Sequence, residues 1–247
     1  MNRAAGGAIT VLVGTVLLRL TLTGTYRRYV RVGMGPFLLV AGAVVIVLGM
    51  ATLVRALRDR ECDGGTGAEA HEAHEGHEGD EGHGHGHDDR VGWLLLAPVA
   101  ALLLVAPPAL GSYGVDRGAA VDVRAGDSTF TPLEPGSGPV PMTLLEYNQR
   151  AFDHDGATFN GVPVQLTGFV ADAEAPFRVV RYQIACCAVD AAPIAVRVVG
   201  TTGASPPRDQ WVTITGTFQP AATGGDEIPA IAATSVVEIP APDDPYE

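Results

Sequence analysis

Two adjacent cysteines, Cys186 and Cys187, are the residues of this sequence with the clearest capacity for chemistry. Thiols are otherwise scarce, because the chain holds three cysteines and the third, Cys62, lies far upstream. Asp190 follows the pair, so one interpretation is a soft-metal site with a nearby carboxylate, or a redox-active thiol. The other is that at least one cysteine is a small buried hydrophobic residue, as free cysteines often are. With no CxxC motif and no histidine beside the pair, both interpretations stay open.

The segment around the cysteines has an apolar, β-like composition. Neighbouring side chains on a regular strand point to opposite faces of the sheet. The sequence therefore predicts that the Cys186 and Cys187 thiols point apart and do not pair easily with each other.

A second group of metal-binding side chains lies in residues 61–90, which contain glycine, acids and histidine with almost no apolar content. Such a composition cannot form a core and predicts a disordered loop. Neutral imidazole binds zinc, nickel or copper, and the interleaved glutamates add oxygen ligands. The sequence predicts a low-affinity, fluxional metal-collecting loop, and a solvated spacer is the alternative. Six of the seven histidines are in this loop: His71, His74, His77, His83, His85 and His87.

Three apolar stretches are long enough to cross a bilayer, which takes about 20 helical residues. They cover residues 4–25, 33–54 and 91–111, so residues 1–60 hold two spans and the third follows the loop. A cleaved signal peptide is the alternative for the first stretch. Glycines at heptad spacing in the second stretch, Gly35, Gly42 and Gly49, predict a helix-packing seam. The chain is expected to be a multi-pass protein of the plasma membrane.

Arg19 falls inside the first span, where a charge is costly and often functional. Its long stem could equally carry the guanidinium to the nearer headgroup layer. Five flanking arginines support each orientation, and the cluster after the second span, Arg55, Arg58 and Arg60, favours an N-terminus in the cytoplasm. With three spans, that orientation places the C-terminal part outside the cytoplasm.

The remainder reads as a proline-rich tether over residues 112–141 and a soluble, mainly β domain over 142–247. Residues 143–152 predict a short helix with Thr143 as N-cap and Glu146 completing a capping box. Strands are predicted at residues 163–170, 177–185, 194–199, 210–218 and 228–239, with bulges or sharp bends at Gly168 and Gly216. The predicted fold is therefore membrane α plus soluble β, with three transmembrane helices followed by a small OB-like β-barrel. An irregular β-sandwich is the alternative.

Charge and residue types exclude several function classes. The chain carries a net charge of −12 and no lysine, so it has no basic surface for nucleic acid. Outside the loop the only histidine is His154, which leaves a hydrolase without an evident base. We expect a binding or accessory module rather than an enzyme.

An ordered set of segments resembles the YcgQ-like family of two-component permease subunits. The set comprises RRYVRVGMGPFLLVAGAVVIVLG, the histidine-rich spacer, VGWLLLAPVAALLLVAPPALGSY, TLLEYNQRAFD, VPVQLTGFV, FRVVRYQIACCAVDAAPIAVRVVG, WVTITGTF and PYE. Where family members tend to read Cys-Cys-Ala-Ala-Asp-Ala, this chain has Val189 as the fourth residue. The resemblance implies a small membrane subunit beside a larger multi-span permease, but no settled substrate.

Together these observations predict an accessory subunit of a two-component membrane permease, with a transition-metal cation as the first guess for its cargo. Cys186, Cys187 and Asp190 would form a soft-ligand site in the β domain. The alternative is a membrane-anchored metal buffer or sensor that has no transport partner.

Overall fold

The computed structural model describes residues 3–63, 108–117, 130–136, 138–172, 174–201, 205–220 and 228–247. The histidine-rich loop, residues 91–107 of the predicted third span and much of the tether lie outside these ranges. The chain divides into two compact units. One contains the N-terminal helices, and the other joins their connection, Tyr26–Met34, to Pro108–Glu247.

Two apolar helices form the first unit: α1 is Arg3–Leu22 and α2 is Gly35–Asp63. Both are long and apolar enough to cross a membrane. Helix α2 continues beyond residue 54, where the predicted second span ends. Residues 55–63 contain three arginines and no glycine or proline, so the helix continues into this polar segment.

The helices pack through glycines that face each other. A Cβ on Gly42 would lie 3.4 Å from the backbone oxygen of Gly14, and one on Gly49 would lie 3.1 Å from that of Gly7. A close approach of two backbones requires small residues at the contact. The predicted seam is therefore confirmed at Gly42 and Gly49, and the heptad-spaced glycines of α1 complete it.

The second unit contains a mixed six-stranded sheet and the short helix α3, Leu144–Phe152. Its strands are β1 Val140–Pro141, β2 Val164–Val170, β3 Arg178–Gln183, β4 Ala192–Val199, β5 Trp211–Gln219 and β6 Ala230–Ile239. The strand order is β1-β2-β3-β4-β6-β5, and β2 also pairs with β5. The β1–β2 and β4–β6 pairs are parallel and the other pairs are antiparallel. The third span and the OB-like barrel stay predictions.

Helix α3 covers the main core of this unit with its apolar face. Leu144 and Tyr147 are fully buried, and the Tyr147 hydroxyl donates to the Ala230 carbonyl at 2.6 Å, so this buried polar atom is satisfied. Thr143 caps the helix, since its hydroxyl accepts from the Glu146 N–H at 3.0 Å, as predicted. The Glu146 carboxylate accepts from Arg150 Nε at 2.8 Å.

Two glycines shape the strands. At Gly216 the register of β5 against β6 shifts, which confirms the predicted bulge. A Cβ on Gly168 would lie 2.7 Å from the Val180 oxygen, so β2 approaches β3 closely at this point. Both positions require the absence of a side chain.

Candidate metal centre

Cys186 and Cys187 lie in the loop between β3 and β4, not on a strand. Strand β3 ends at Gln183, and Ala188–Asp190 forms a 3-10 turn. The two Sγ atoms are 3.6 Å apart, so the prediction that the thiols point apart is wrong. Strand alternation does not apply because the chain turns sharply at this point.

Asp190 makes this turn by accepting hydrogen bonds from three consecutive backbone N–H groups. Its Oδ1 accepts from Ala185 at 2.9 Å, and its Oδ2 accepts from Cys186 at 2.9 Å and from Cys187 at 3.3 Å. In return, the Cys187 Sγ accepts from the Asp190 N–H. The carboxylate therefore fixes the backbone that carries both thiols, in the manner of a capping box.

The Cys186 thiol and the Asp190 carboxylate shift each other's pKa in opposite directions. The hydrogen bond from the Cys186 thiol, followed by the backbone N–H groups, lowers the pKa of Asp190 to about 2. The neighbouring Asp190 is the largest cause that raises the pKa of Cys186 to about 12, and Cys187 is the next largest. At neutral pH the loop therefore carries a protonated Cys186 beside an ionised Asp190.

The Sγ atoms of Cys186 and Cys187 and a carboxylate oxygen of Asp190 all lie within 4.8 Å of one another. Cys186 is exposed and Cys187 is half-buried. The alternative, that at least one of the two cysteines is a small buried hydrophobic residue, is therefore wrong. Thiolate and carboxylate ligands at this separation could hold one transition-metal ion.

The connection between α1 and α2 holds this loop through main-chain hydrogen bonds. Val30 forms a β-bridge with Cys187. The Arg31 N–H donates to the Cys186 carbonyl at 3.1 Å, and the Ala188 N–H donates to the Tyr29 carbonyl at 2.7 Å. A segment between two apolar helices is thus a structural part of the cysteine site.

Tyr246 and Glu247 hold the same region together. The Tyr246 hydroxyl donates to the Arg28 carbonyl at 2.7 Å and accepts from the Leu110 N–H at 3.2 Å. The Glu247 N–H donates to the Tyr182 carbonyl at 2.9 Å, and the Glu247 carbonyl accepts from the Ile184 N–H at 3.1 Å. These bonds anchor the end of β3, from which the cysteine loop departs.

The other predicted site residues are not part of this cluster. The six loop histidines lie outside the described residues. Arg19 is exposed in the last turn of α1, a position that allows its stem to reach the end of the helix. The contributions of Tyr29, Arg31 and Tyr246 were not predicted, because they are main-chain or long-range contacts that no local spacing reveals.

Comparison with known protein families places both units. Residues 7–116 match the DUF1980 N-terminal domain, and residues 148–247 match the DUF1980 C-terminal domain. No curated protein matches the chain. The two domain matches cover most of the sequence in the order expected for one protein. The chain belongs to the uncharacterised DUF1980 family.

Proposed function

We propose that this chain is the accessory subunit of a two-component membrane permease and that its β domain binds the transition-metal cation that the complex handles. The observation that carries the proposal is the cluster of Cys186, Cys187 and Asp190, whose ligand atoms lie within 4.8 Å on an exposed, internally bonded loop. Thiolates select zinc, copper and similar ions over magnesium and calcium. The histidine-rich loop would collect such ions at low affinity.

Binding is better supported than catalysis at this site. A reactive cysteine needs a lowered pKa so that the thiolate is present near neutral pH. The Asp190 carboxylate has the opposite effect, since it raises the pKa of Cys186 to about 12. A metal ion can displace the thiol proton, whereas a redox or nucleophilic role of Cys186 would start from a protonated thiol. We therefore propose no enzymatic reaction.

Three membrane crossings are proposed from the sequence. The apolar stretches at 4–25, 33–54 and 91–111 are each long enough to cross a bilayer once. In the structure α1 and α2 have the length and apolar character that the first two crossings need. Three crossings would place the residues before the first span and the β domain on opposite sides of the membrane. With the N-terminus in the cytoplasm, the β domain is outside it.

Strand pairing supports an OB-like barrel. The pairing of β2 with β5 gives the cyclic order β2-β3-β4-β6-β5, in which each strand has a neighbour on both sides. The parallel β4–β6 pair and a first strand that pairs with both β3 and β5 fit this five-stranded Greek-key architecture. OB folds bind ligands on the face of their second and third strands and with two of their loops. The cysteine loop joins the second and third strands of this ring, β3 and β4.

A membrane partner is proposed because this chain offers few means to form a path for an ion. The α1–α2 seam is closed by glycines, and α2 exposes an apolar stripe elsewhere, formed by Phe37, Val40, Val44 and Val47. Such a stripe fits lipid or the helices of a larger multi-span subunit. Co-purification distinguishes these cases.

The test is to purify the full chain in mild detergent from its own host and to identify the associated proteins and metals by mass spectrometry. We expect a stoichiometric multi-span protein together with a transition metal. A monodisperse, partner-free protein that transports ions in liposomes would overturn the proposal.

The second candidate is a membrane-anchored metal buffer or sensor without a transport partner. It is favoured by the histidine-rich loop, whose six histidines would collect metal ions without any transport partner. Removal of residues 66–89 separates the candidates. A buffer should lose nearly all metal binding and function, whereas an accessory subunit should still assemble with its partner.

A further inference from the structure

We propose that Cys186, Cys187 and Asp190 form a three-ligand site for a thiophilic divalent cation of the Zn²⁺ class, with the fourth coordination position open for ligand exchange. This inference rests on the proposed function, since it names the class of cation that the site would take and how the site would release it.

The separation of the two sulfurs favours tetrahedral over linear coordination. Two thiolates on a tetrahedral ion with bonds of about 2.3 Å stand about 3.8 Å apart. A linear two-coordinate ion with the same bond length would need about 4.6 Å between its sulfurs. The observed Sγ–Sγ distance is 3.6 Å, which a tetrahedral ion fits with a small adjustment.

Asp190 can join as the third ligand without dismantling the loop. An ionised carboxylate accepts at about four lone-pair positions. Three are occupied by backbone N–H groups, which leaves about one position for a cation. When a divalent cation binds, the protons of both thiols leave to solvent, and the cation takes the remaining acceptor position of the carboxylate beside the two sulfurs. The three hydrogen bonds from backbone N–H groups to Asp190 persist, so the loop keeps its shape.

The fourth coordination position is open because the site is exposed to solvent and only three described residues supply ligands. Cys186 and Asp190 face solvent, and within the described part of the chain no further His, Cys, Asp or Glu joins the cluster. Closed four-ligand zinc sites are structural, whereas sites with three protein ligands keep a position for exchange. An ion held in this way can pass to an incoming ligand by associative exchange.

The experiment is a Co²⁺ titration of the full chain in detergent, followed by optical spectroscopy. Tetrahedral Co²⁺ with thiolate ligands gives intense visible bands and a sulfur-to-cobalt charge-transfer band, whereas imidazole and carboxylate ligands of the histidine-rich loop give no such charge-transfer band. We expect one Co²⁺ per chain with these features, bleached by equimolar Zn²⁺. Added imidazole should shift the visible bands while the charge-transfer band remains.

Substitutions assign the ligands. Cys186→Ser and Cys187→Ser should each reduce the charge-transfer intensity and lower the Zn²⁺ affinity at least about tenfold, the scale seen when metal-site partners are removed. Asp190→Asn should shift the visible bands, and the matched control Cys62→Ser should leave the spectrum unchanged.

Several results would overturn the proposal: no charge-transfer band, a band that survives both serine variants, insensitivity to imidazole, or tight binding of Cu⁺ with no binding of Co²⁺ or Zn²⁺. These failures differ from failure of the proposed function. Loss of the multi-span partner would refute the permease role while the thiolate spectrum remained, and the reverse result would refute only the site.

Discussion

The side chain of Glu247 gives the sharpest stability prediction, because it closes the N-terminus of α3 from a distant part of the chain. Its Oε1 accepts from the Leu144 N–H at 2.8 Å and its Oε2 accepts from the Leu145 N–H at 3.0 Å, with the side chain 4% exposed. Hydrogen bonds to a charged group contribute about 1.5–3 kcal/mol each. Glu247→Ala therefore removes about 3–6 kcal/mol of gross interaction.

The net effect is smaller, because burial of the carboxylate opposes its ionisation and raises its pKa. At neutral pH we expect Glu247→Ala to lower the free energy of unfolding by about 2 kcal/mol, within the range measured for helix-cap removal. Glu247→Gln is the matched control, since its carbonyl oxygen can still accept one of the two bonds. It should cost about half as much, about 1 kcal/mol.

The raised pKa also fixes the sign of the pH dependence. Between the ordinary value of 4.5 and the raised value, the folded state holds a proton that the unfolded state has lost. The contribution of Glu247 to stability is therefore complete below the ordinary value and falls as pH rises through the raised one. The difference between the native chain and Glu247→Ala should be larger near pH 4.5 than at neutral pH.

The assay is urea unfolding in detergent, followed by Trp211 fluorescence in a Trp93→Phe background. Trp211 begins β5 and reports on the β domain. The backbone bonds of Glu247 remain in both variants, so the measurement isolates the carboxylate. A loss below about 0.5 kcal/mol, the usual range for surface substitutions, would refute the reasoning. A difference that grows with rising pH would refute it as well.

Three further predictions concern packing and charge. Gly216→Ala should cost about 2–4 kcal/mol in the same assay, because its Cβ would lie 2.3 Å from a backbone oxygen of β6, whereas Gly136→Ala should be neutral. Gly49→Val should lower the thermal stability of the helical hairpin in detergent, since even a Cβ would lie 2.8 Å from a backbone nitrogen of α1; the control Gly33→Ala meets no atom within 4 Å. A nearby arginine lowers the pKa of Asp172. The contribution of this carboxylate to the free energy of unfolding is therefore present above the ordinary carboxyl pKa and is lost as pH falls through the lowered pKa. For this solvent-screened pair, Asp172→Asn should cost only about 0.5 kcal/mol at neutral pH.

Local patterns predicted the elements of the β domain well. The segment 210–218 was assigned from its alternating apolar residues, and β5 is Trp211–Gln219. Thr143 was assigned as an N-cap from its position before an amphipathic segment, and its hydroxyl accepts the expected bond. These features depend on neighbours in sequence, where side-chain period and hydrogen-bonding capacity decide the structure.

The candidate site was predicted less completely, because its geometry depends on contacts that are not local. The composition around Cys186 is that of a strand. The alternation of side chains along a strand does not indicate that the Asp190 carboxylate would accept hydrogen bonds from three preceding backbone N–H groups. The bridge between Val30 and Cys187 joins segments more than 150 residues apart. Such a pair satisfies backbone groups with no side-chain signature, so no pattern of residue types identifies it.

The arrangement of the cysteine loop explains how an exposed site can be ordered without being buried. The peptide group between Cys186 and Cys187 is bonded on both sides: its N–H donates to Asp190 Oδ2 at 3.3 Å, and its carbonyl accepts from the Arg31 N–H at 3.1 Å. Both thiols therefore project from a backbone that is already fixed. Because the loop is preformed, less conformational entropy is lost when a cation binds. A three-ligand site needs this preorganisation, because it lacks the fourth bond that closes a structural site. The same bonds join the cysteine loop to Tyr29 and Arg31, which belong to the same compact unit as the β domain.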